Sequence, residues 1–371
     1  MKYYIIAGEP SGDLHGANLI KELKRIDSEA NFRIVGGDKM EGASSLEPFI
    51  HNREMAFMGF IEVIKNLKTI SKNLKAVKND ILNYKPDCII LIDFPGFNLK
   101  IAEFAKARQI KVHYYISPKI WAWNTKRVHK IKKVVDHMYC ILPFEVEFYK
   151  KYEMEVDYVG NPLLDSITQY NFNENFRQDN ALSNRPLLAI VPGSRKMELE
   201  KILPELIKLF YLFPGHELVV AGAPNFNEEY YKEYIGDLPI KVLFNQTYDL
   251  IKNADIAAVT SGTATLEVAI LNTPQVVVYK ANAISVWLAR KLVKIKFISL
   301  VNLINGFLTV KELIQQECNY RDIADELGEL TVNSTYRSTM LNNYDSLREK
   351  LGNTGASQRT AEKIYQYTLK K

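Results

Sequence analysis

Three short stretches of this chain combine small residues with groups that hold hydroxyls, protons or phosphates. In Gly8-Glu9-Pro10-Ser11-Gly12-Asp13, two carboxylates sit on a glycine-bearing turn where the backbone can approach a ligand closely. Carboxylates repel phosphate, so this loop suits hydroxyl or amine groups. The simpler alternative is an ordinary βα turn with Asp13 as helix cap. In Pro192-Gly193-Ser194-Arg195, a hydroxyl and a guanidinium fork precede a helix whose N-terminus adds partial positive charge. That combination fits phosphate oxygens, although a solvated arginine beside a capped helix explains it too.

The third stretch is Thr260-Ser261-Gly262-Thr263-Ala264-Thr265-Leu266-Glu267. The N–H groups and hydroxyls of Ser261, Gly262 and Thr263 can cradle a diphosphate at a helix start. Glu267, one turn on, is placed to accept from a ribose diol. Its alternatives are interaction with the helix dipole and a capping box. Two such loops in one half of the chain, with no Walker lysine pattern, favour a nucleotide diphosphate carried by a sugar.

These loops need strands to launch them. β-Branched and aromatic runs predict strands at Tyr3–Ala7, 32–35, Cys88–Ile92, 112–116 and 137–142. In the second half the runs are Leu187–Val191, 218–221, 240–243, 256–259 and Gln275–Tyr279. Helical patterns fill the gaps, the first starting near Asp13. The alternation predicts an α/β chain with two parallel sheets covered by helices on both faces. Val159-Gly160-Asn161-Pro162 and the polar stretch to Arg185 mark a linker near 161–186. The expected domains are 1–165 and 186–340, followed by a helical tail, 341–371, that packs on the first domain or on a partner chain. The active site of such a protein is expected in the cleft between its domains.

The 371 residues suffice for two domains, and 47% hydrophobic with 25% charged residues is globular composition. A net charge of +5, from 48 basic and 43 acidic residues, is too mild to argue for nucleic acid. Cys88, Cys140 and Cys318 are few and widely spaced, which suggests neither disulfides nor zinc and favours the cytoplasm. The apolar run before Gly8 is too short for a signal peptide, and no run approaches the length of a membrane span.

The chain resembles the lipid-A-disaccharide synthase family, GT-B glycosyltransferases (family 19) of Gram-negative bacteria. The resemblance covers nearly the whole length. It rests on A-G-E-P-S-G-D at 7–13, M-G-F-I-E-V at 58–63, I-D-F-P-G-F-N at 92–98 and S-P-K-I-W-A-W at 117–123. L-P-F-E at 142–145, P-G-S-R at 192–195, S-G-T-A-T-L-E at 261–267 and S-L-V-N-L at 299–303 complete it. Their order and spacing together are specific. Two positions depart from the pattern: Gly96 stands where the family often has a second acid, and Pro10 where alanine is common.

The resemblance implies a GT-B fold of two Rossmann-like domains facing a cleft. It implies transfer from UDP-2,3-diacylglucosamine to 2,3-diacylglucosamine 1-phosphate, giving a β-1,6 disaccharide 1-phosphate and UDP with inversion. Such a displacement needs a base and a stabilised leaving group. Asp93 is the expected base, with a turn or cap as its alternative role. Glu9 is expected beside it as a second catalytic residue; Glu9 and Asp13 are expected to hold sugar hydroxyls or the acceptor, and Ser11 and Asn98 to bind substrate. Arg195 and Ser261–Thr263 are expected on the diphosphate, Glu267 on ribose and Asn302 on the diphosphate side. No metal or other cofactor is expected, because a cationic loop can serve the leaving group.

Acylated substrates imply contact with a membrane surface. At roughly 100° per residue, Phe60, Val63, Ile64, Leu67, Ile70, Leu74, Val77 and Ile81 share one helical face edged with lysines. That stripe suits an interface rich in anionic lipid, with a core-facing helix as its alternative. Phe60, Val63, Ile64 and Leu67 are the expected contacts. A second basic, aromatic region, 119–133, holds Trp121, Trp123, Lys126, Arg127, Lys130, Lys132 and Lys133 and could seat the acceptor phosphate or lipid headgroups. The implied location is the cytoplasm, peripheral to the inner membrane, and a homodimer stays open. Two other readings remain: an isomerase like the UDP-N-acetylglucosamine 2-epimerases, and a non-catalytic UDP-sugar binder.

Overall fold

A computed structural model describes residues 1–55, 66–281 and 296–370. The chain divides into two units, one of 1–165 with 353–371 and the other of 166–352. The first holds a seven-stranded sheet built from β1 (Lys2–Ala7), β2 (Asn31–Gly36), β3 (Ile50–His51), β4 (Cys88–Ile92), β5 (Lys111–Tyr115), β6 (His137–Cys140) and β7 (Asp157–Tyr158). Its spatial order is β3-β2-β1-β4-β5-β6-β7, and every pairing is parallel. The second holds β8 (Leu187–Val191), β9 (Glu217–Gly222), β10 (Lys241–Phe244), β11 (Ile256–Thr260), β12 (Gln275–Tyr279) and β13 (Glu312–Ile314). Here the order is β10-β9-β8-β11-β12-β13, again all parallel.

Parallel strands covered on both faces become continuous apolar runs, because alternate residues enter two different cores. β1 shows this directly. Tyr3, Ile5 and Ala7 join one buried cluster, and Tyr4 and Ile6 join the other. The helix Leu67–Tyr84 covers the second cluster with Val77 and Ile81, and the helix Pro95–Lys106 with Phe97 and Ile101. The first cluster is covered by the helix Pro10–Ile26, through Ala17, Leu19, Ile20 and Leu23. It is also covered by Ala361 and Ile364 of the helix Ala356–Leu369. The last helix thus belongs to the first unit, whereas the helix Ser334–Leu351 belongs to the second. The polar stretch after Pro162 lies mostly in the second unit, where Phe176 is buried beside Leu187, Val219 and Ala257.

The helix expected from Asp13 begins three residues earlier, at Pro10. Proline lacks an N–H that the first turn would leave unpaired, and its fixed φ suits that position. Ser11, Gly12 and Asp13 therefore lie in the first helical turn instead of a loop. No helix among the described residues is long and apolar enough to cross a membrane.

Candidate active site

β1 and β4 are neighbours in register, Ala7 opposite Ile92, so the loops after them leave the sheet side by side. Glycine is required at position 8 because the Phe94 ring lies over it; a Cβ there would stand 2.3 Å from a ring carbon. Glu9 caps the helix Pro10–Ile26, and Asp93 and Phe94 precede the helix Pro95–Lys106. Both Asp93 and Phe94 are left-handed, at φ 43° and 50°. For residues other than glycine this costs about 1–3 kcal/mol each and persists only when neighbours enforce it. The enforcement is visible. Asn98 Nδ2 donates to the carbonyls of Ile92 (3.2 Å) and Asp93 (2.8 Å), and Tyr114 Oη donates to the Asp93 carbonyl at 2.5 Å. The Asp93 N–H donates to the Tyr115 carbonyl.

The Asp93 carboxyl is pushed up to about 6, first by burial and then by the negative charge of Glu9. The Lys119 charge and the Phe94 N–H oppose the shift. A carboxylate with a pKa near the working pH can accept a proton in a transition state and release it afterwards.

The other expected residues of this half divide. Ser11 is exposed, and Glu9 is half-buried. Asp13 is buried and turned toward the next helix, Asp38–Ser44, accepting from the N–H groups of Gly37 (2.7 Å), Lys39 (3.1 Å) and Met40 (3.1 Å). Those are the amides a helix start leaves unpaired, so its oxygens are spent inside the fold. Asn98 is fully buried, and its Nδ2 holds the backbone carbonyls of Ile92 and Asp93. Tyr114 does the same work, and only its place at the end of a strand could have signalled it.

In the second unit β8 and β11 are neighbours, so their loops also leave one edge together. After β8, Gly193 has φ +96°, and Glu198 folds back under the loop, accepting from the N–H groups of Ser194 and Arg195, both at 3.2 Å. Arg195 also touches Glu198 Oε1 at 3.1 Å, yet its side chain is 66% exposed. The amides of Ser194 and Arg195 are thus occupied, while most of the guanidinium stays exposed.

After β11, Gly262 and Thr263 are exposed, while Ser261 Oγ donates to the Ile298 carbonyl. Glu267 accepts from Tyr248 Oη at 3.2 Å, and burial raises its pKa. Asn302 lies deeper. It is fully buried, donates to the Val310 carbonyl and Glu312, and accepts from the N–H groups of Thr309 and Val310. All its polar capacity closes the turn after the helix Leu300–Asn305.

Of the apolar stripe, Phe60, Val63 and Ile64 lie outside the described residues. Leu67 is 55% exposed. From there the core-facing alternative holds, since Ile70, Leu74, Val77 and Ile81 all pack into the first unit's core.

These two sheets make the chain a GT-B protein. Among solved structures it is similar to a UDP-GlcNAc 2-epimerase from Neisseria meningitidis bound to UDP-GlcNAc, with a TM-score of 0.70, 14% identity, and coverage of 99% of this chain and 100% of that one. It is also similar to the glycosyltransferase of kitacinnamycin, with a TM-score of 0.69, 12% identity and 98% coverage of both. At those identities the likeness speaks for the fold. The profile of the lipid-A-disaccharide synthetase family matches residues 3–365. The lipid-A-disaccharide synthase of Trichlorobacter lovleyi is 37% identical over 367 residues, covering 96% of this chain and 95% of the relative. That of Coxiella burnetii is 36% identical over 366 residues, covering 97% of each. The chain belongs to the lipid-A-disaccharide synthase family, and it is a glycosyltransferase of lipid A biosynthesis.

Proposed function

We propose that the chain transfers a 2,3-diacylglucosaminyl group from UDP to the 6-hydroxyl of 2,3-diacylglucosamine 1-phosphate, with inversion. Asp93 takes the hydroxyl proton, the oxygen attacks the donor anomeric carbon, and the bond to UDP breaks in the same step. The observation that carries this reading is Asp93 itself: a carboxylate raised to about 6, in an enforced left-handed turn beside Glu9. With Gly96 in place of a second acid, one carboxylate bears the proton transfer.

Glu9 and Ser11 hold acceptor hydroxyls, and the Glu9 charge keeps Asp93 basic. Asp13 and Asn98 are positioning residues, the first for the Glu9 helix and the second for the Asp93 turn. In the second unit, the exposed guanidinium of Arg195 and the loop 261–263 take the diphosphate, and Glu267 takes the ribose. Arginine supplies the fixed positive charge a departing diphosphate needs. Turnover in excess chelator therefore stays within about twofold of the untreated rate; strict Mg²⁺ dependence contradicts the scheme. Because both substrates are acylated, the enzyme works in the cytoplasm at the inner-membrane surface. Product-resolved mass spectrometry with both substrates tests the reaction: it predicts disaccharide 1-phosphate and UDP in equal amounts. UDP-sugar turnover without disaccharide overturns it.

A further inference from the structure

The segment after β5 is tied to the helix Pro143–Lys150 by two side-chain hydrogen bonds. Ser117 Oγ and Tyr149 Oη are 2.9 Å apart, and Trp121 Nε1 donates to Glu145 Oε1 at 3.1 Å. Tyr149 and Glu145 are one turn apart on the helix Pro143–Lys150, so one element grips the segment twice. Ile120 and Val128 are buried beneath it.

Four cations between 117 and 134 have no carboxylate in ion-pair range among the described residues: Lys119, Lys126, Arg127 and Lys133. Their neighbours are paired, Lys130 with Glu103 at 2.9 Å and Lys132 with Glu153 at 3.7 Å. The Arg127 guanidinium lies over the Trp123 ring, 4.9 Å from its centre. Stacking fixes the plane of a guanidinium while leaving its edge free to bond oxygens. The patch lies on the segment that follows β5, the strand next to β4: Ile92 is opposite Tyr115, the Asp93 N–H donates to the Tyr115 carbonyl, and the Tyr114 hydroxyl holds the Asp93 carbonyl. Unpaired cations beside a base weaken it, and an arriving anion removes that penalty.

We propose that Lys119 and Arg127, with Trp123 as the stacking surface, form the subsite for the acceptor's phosphate monoester. The inference rests on the reading of Asp93 as the base for that acceptor. The phosphate is taken one sugar ring away from the hydroxyl that Asp93 deprotonates, so the subsite sets which acceptor is used and which hydroxyl faces the base.

The test compares 2,3-diacylglucosamine 1-phosphate with its dephosphorylated counterpart in neutral detergent micelles. Arg127→Gln and Lys119→Gln each raise KM for the phosphorylated acceptor about tenfold. Both leave KM for the UDP donor within about twofold, and in each the ratio of kcat/KM for the phosphorylated to the dephosphorylated acceptor falls about tenfold, with Arg127→Lys between. Equal losses with both acceptors, or no loss with either, overturn the subsite. So does a defect confined to phosphatidylglycerol vesicles, which assigns the patch to lipid headgroups. If wild type makes no disaccharide from either acceptor, it is the transferase reading that fails. Saturation-transfer NMR with glucosamine 1-phosphate against glucosamine then decides the subsite alone: loss of the phosphate-dependent signal in Arg127→Gln supports it, and an unchanged signal overturns it.

Discussion

Asp93 carries a left-handed backbone, partial burial and the charge of Glu9 at once, and each costs the folded state free energy. Asn tolerates left-handed φ and cannot ionise. Asp93→Asn therefore keeps the turn and loses the base, with kcat expected to fall roughly 10²–10⁴-fold. Its stability moves the opposite way. The folded pKa of about 6 lies above the unstrained 3.8, so the wild type loses stability as pH rises through that window. Asp93→Asn escapes this loss, so its Tm exceeds wild type at pH 8 and matches it at pH 3, by calorimetry. Glu9→Gln removes the repelling charge, and the acid limb of kcat/KM then moves to lower pH. The strand-end positions of Asp93, Glu9 and Arg195 were legible because charged residues beside glycine or proline after an apolar run announce a strand-end loop. The tasks of Asp13 and Asn302 were not, because hydrogen bonds to backbone amides 24 to 27 or 7 to 8 positions away leave no trace in spacing.

Each loop at the edge of a sheet is shaped by a packing partner as much as by its own residues. The Pro192–Arg195 loop depends on Glu198, because a Cβ at Gly193 would stand 2.3 Å from Glu198 Oε2 and φ there is +96°. Gly193→Ala therefore displaces Glu198 and frees the loop, and UDP affinity by titration calorimetry is expected to fall roughly tenfold. Asn302→Ala strands the amides of Thr309 and Val310 and should cost about 2–3 kcal/mol of stability. UDP binding by the folded fraction stays unchanged; a selective loss of UDP affinity contradicts the purely structural role. Long apolar strands were legible to within a residue or two, Cys88–Ile92, Leu187–Val191 and Gln275–Tyr279 in full. Ile50–His51, Asp157–Tyr158 and Glu312–Ile314 were not, because edge strands of two or three residues are too short to show a period. The stripe beyond Leu67 shows the reverse ambiguity, since apolar spacing alone does not say whether a helix faces a core or a lipid.

The parallel α/β class and the break near Pro162 were readable because strand runs and helical runs alternate along the whole chain. The return of the last helix was not fixed by pattern, since an amphipathic tail fits its own first domain or a partner equally. In the structure that helix completes the first unit, where Ala361 and Ile364 cover Leu19, Ile20 and Tyr115. His137 stacks on Tyr367 at 3.9 Å, and Lys111 donates to the carbonyls of Tyr367 and Thr368. Assigning the acceptor and the base to that unit, and UDP to the other, makes one whole-molecule measurement decisive. It is the pH profile of kcat/KM for disaccharide 1-phosphate formation by wild type beside Asp93→Asn, read by mass spectrometry. Wild type is expected to form disaccharide and UDP in equal amounts, with a single-proton acid limb near pH 6 and a variant slower at every pH. Near-normal disaccharide formation by Asp93→Asn contradicts the assignment of the base, and UDP-sugar turnover without disaccharide contradicts the transfer itself.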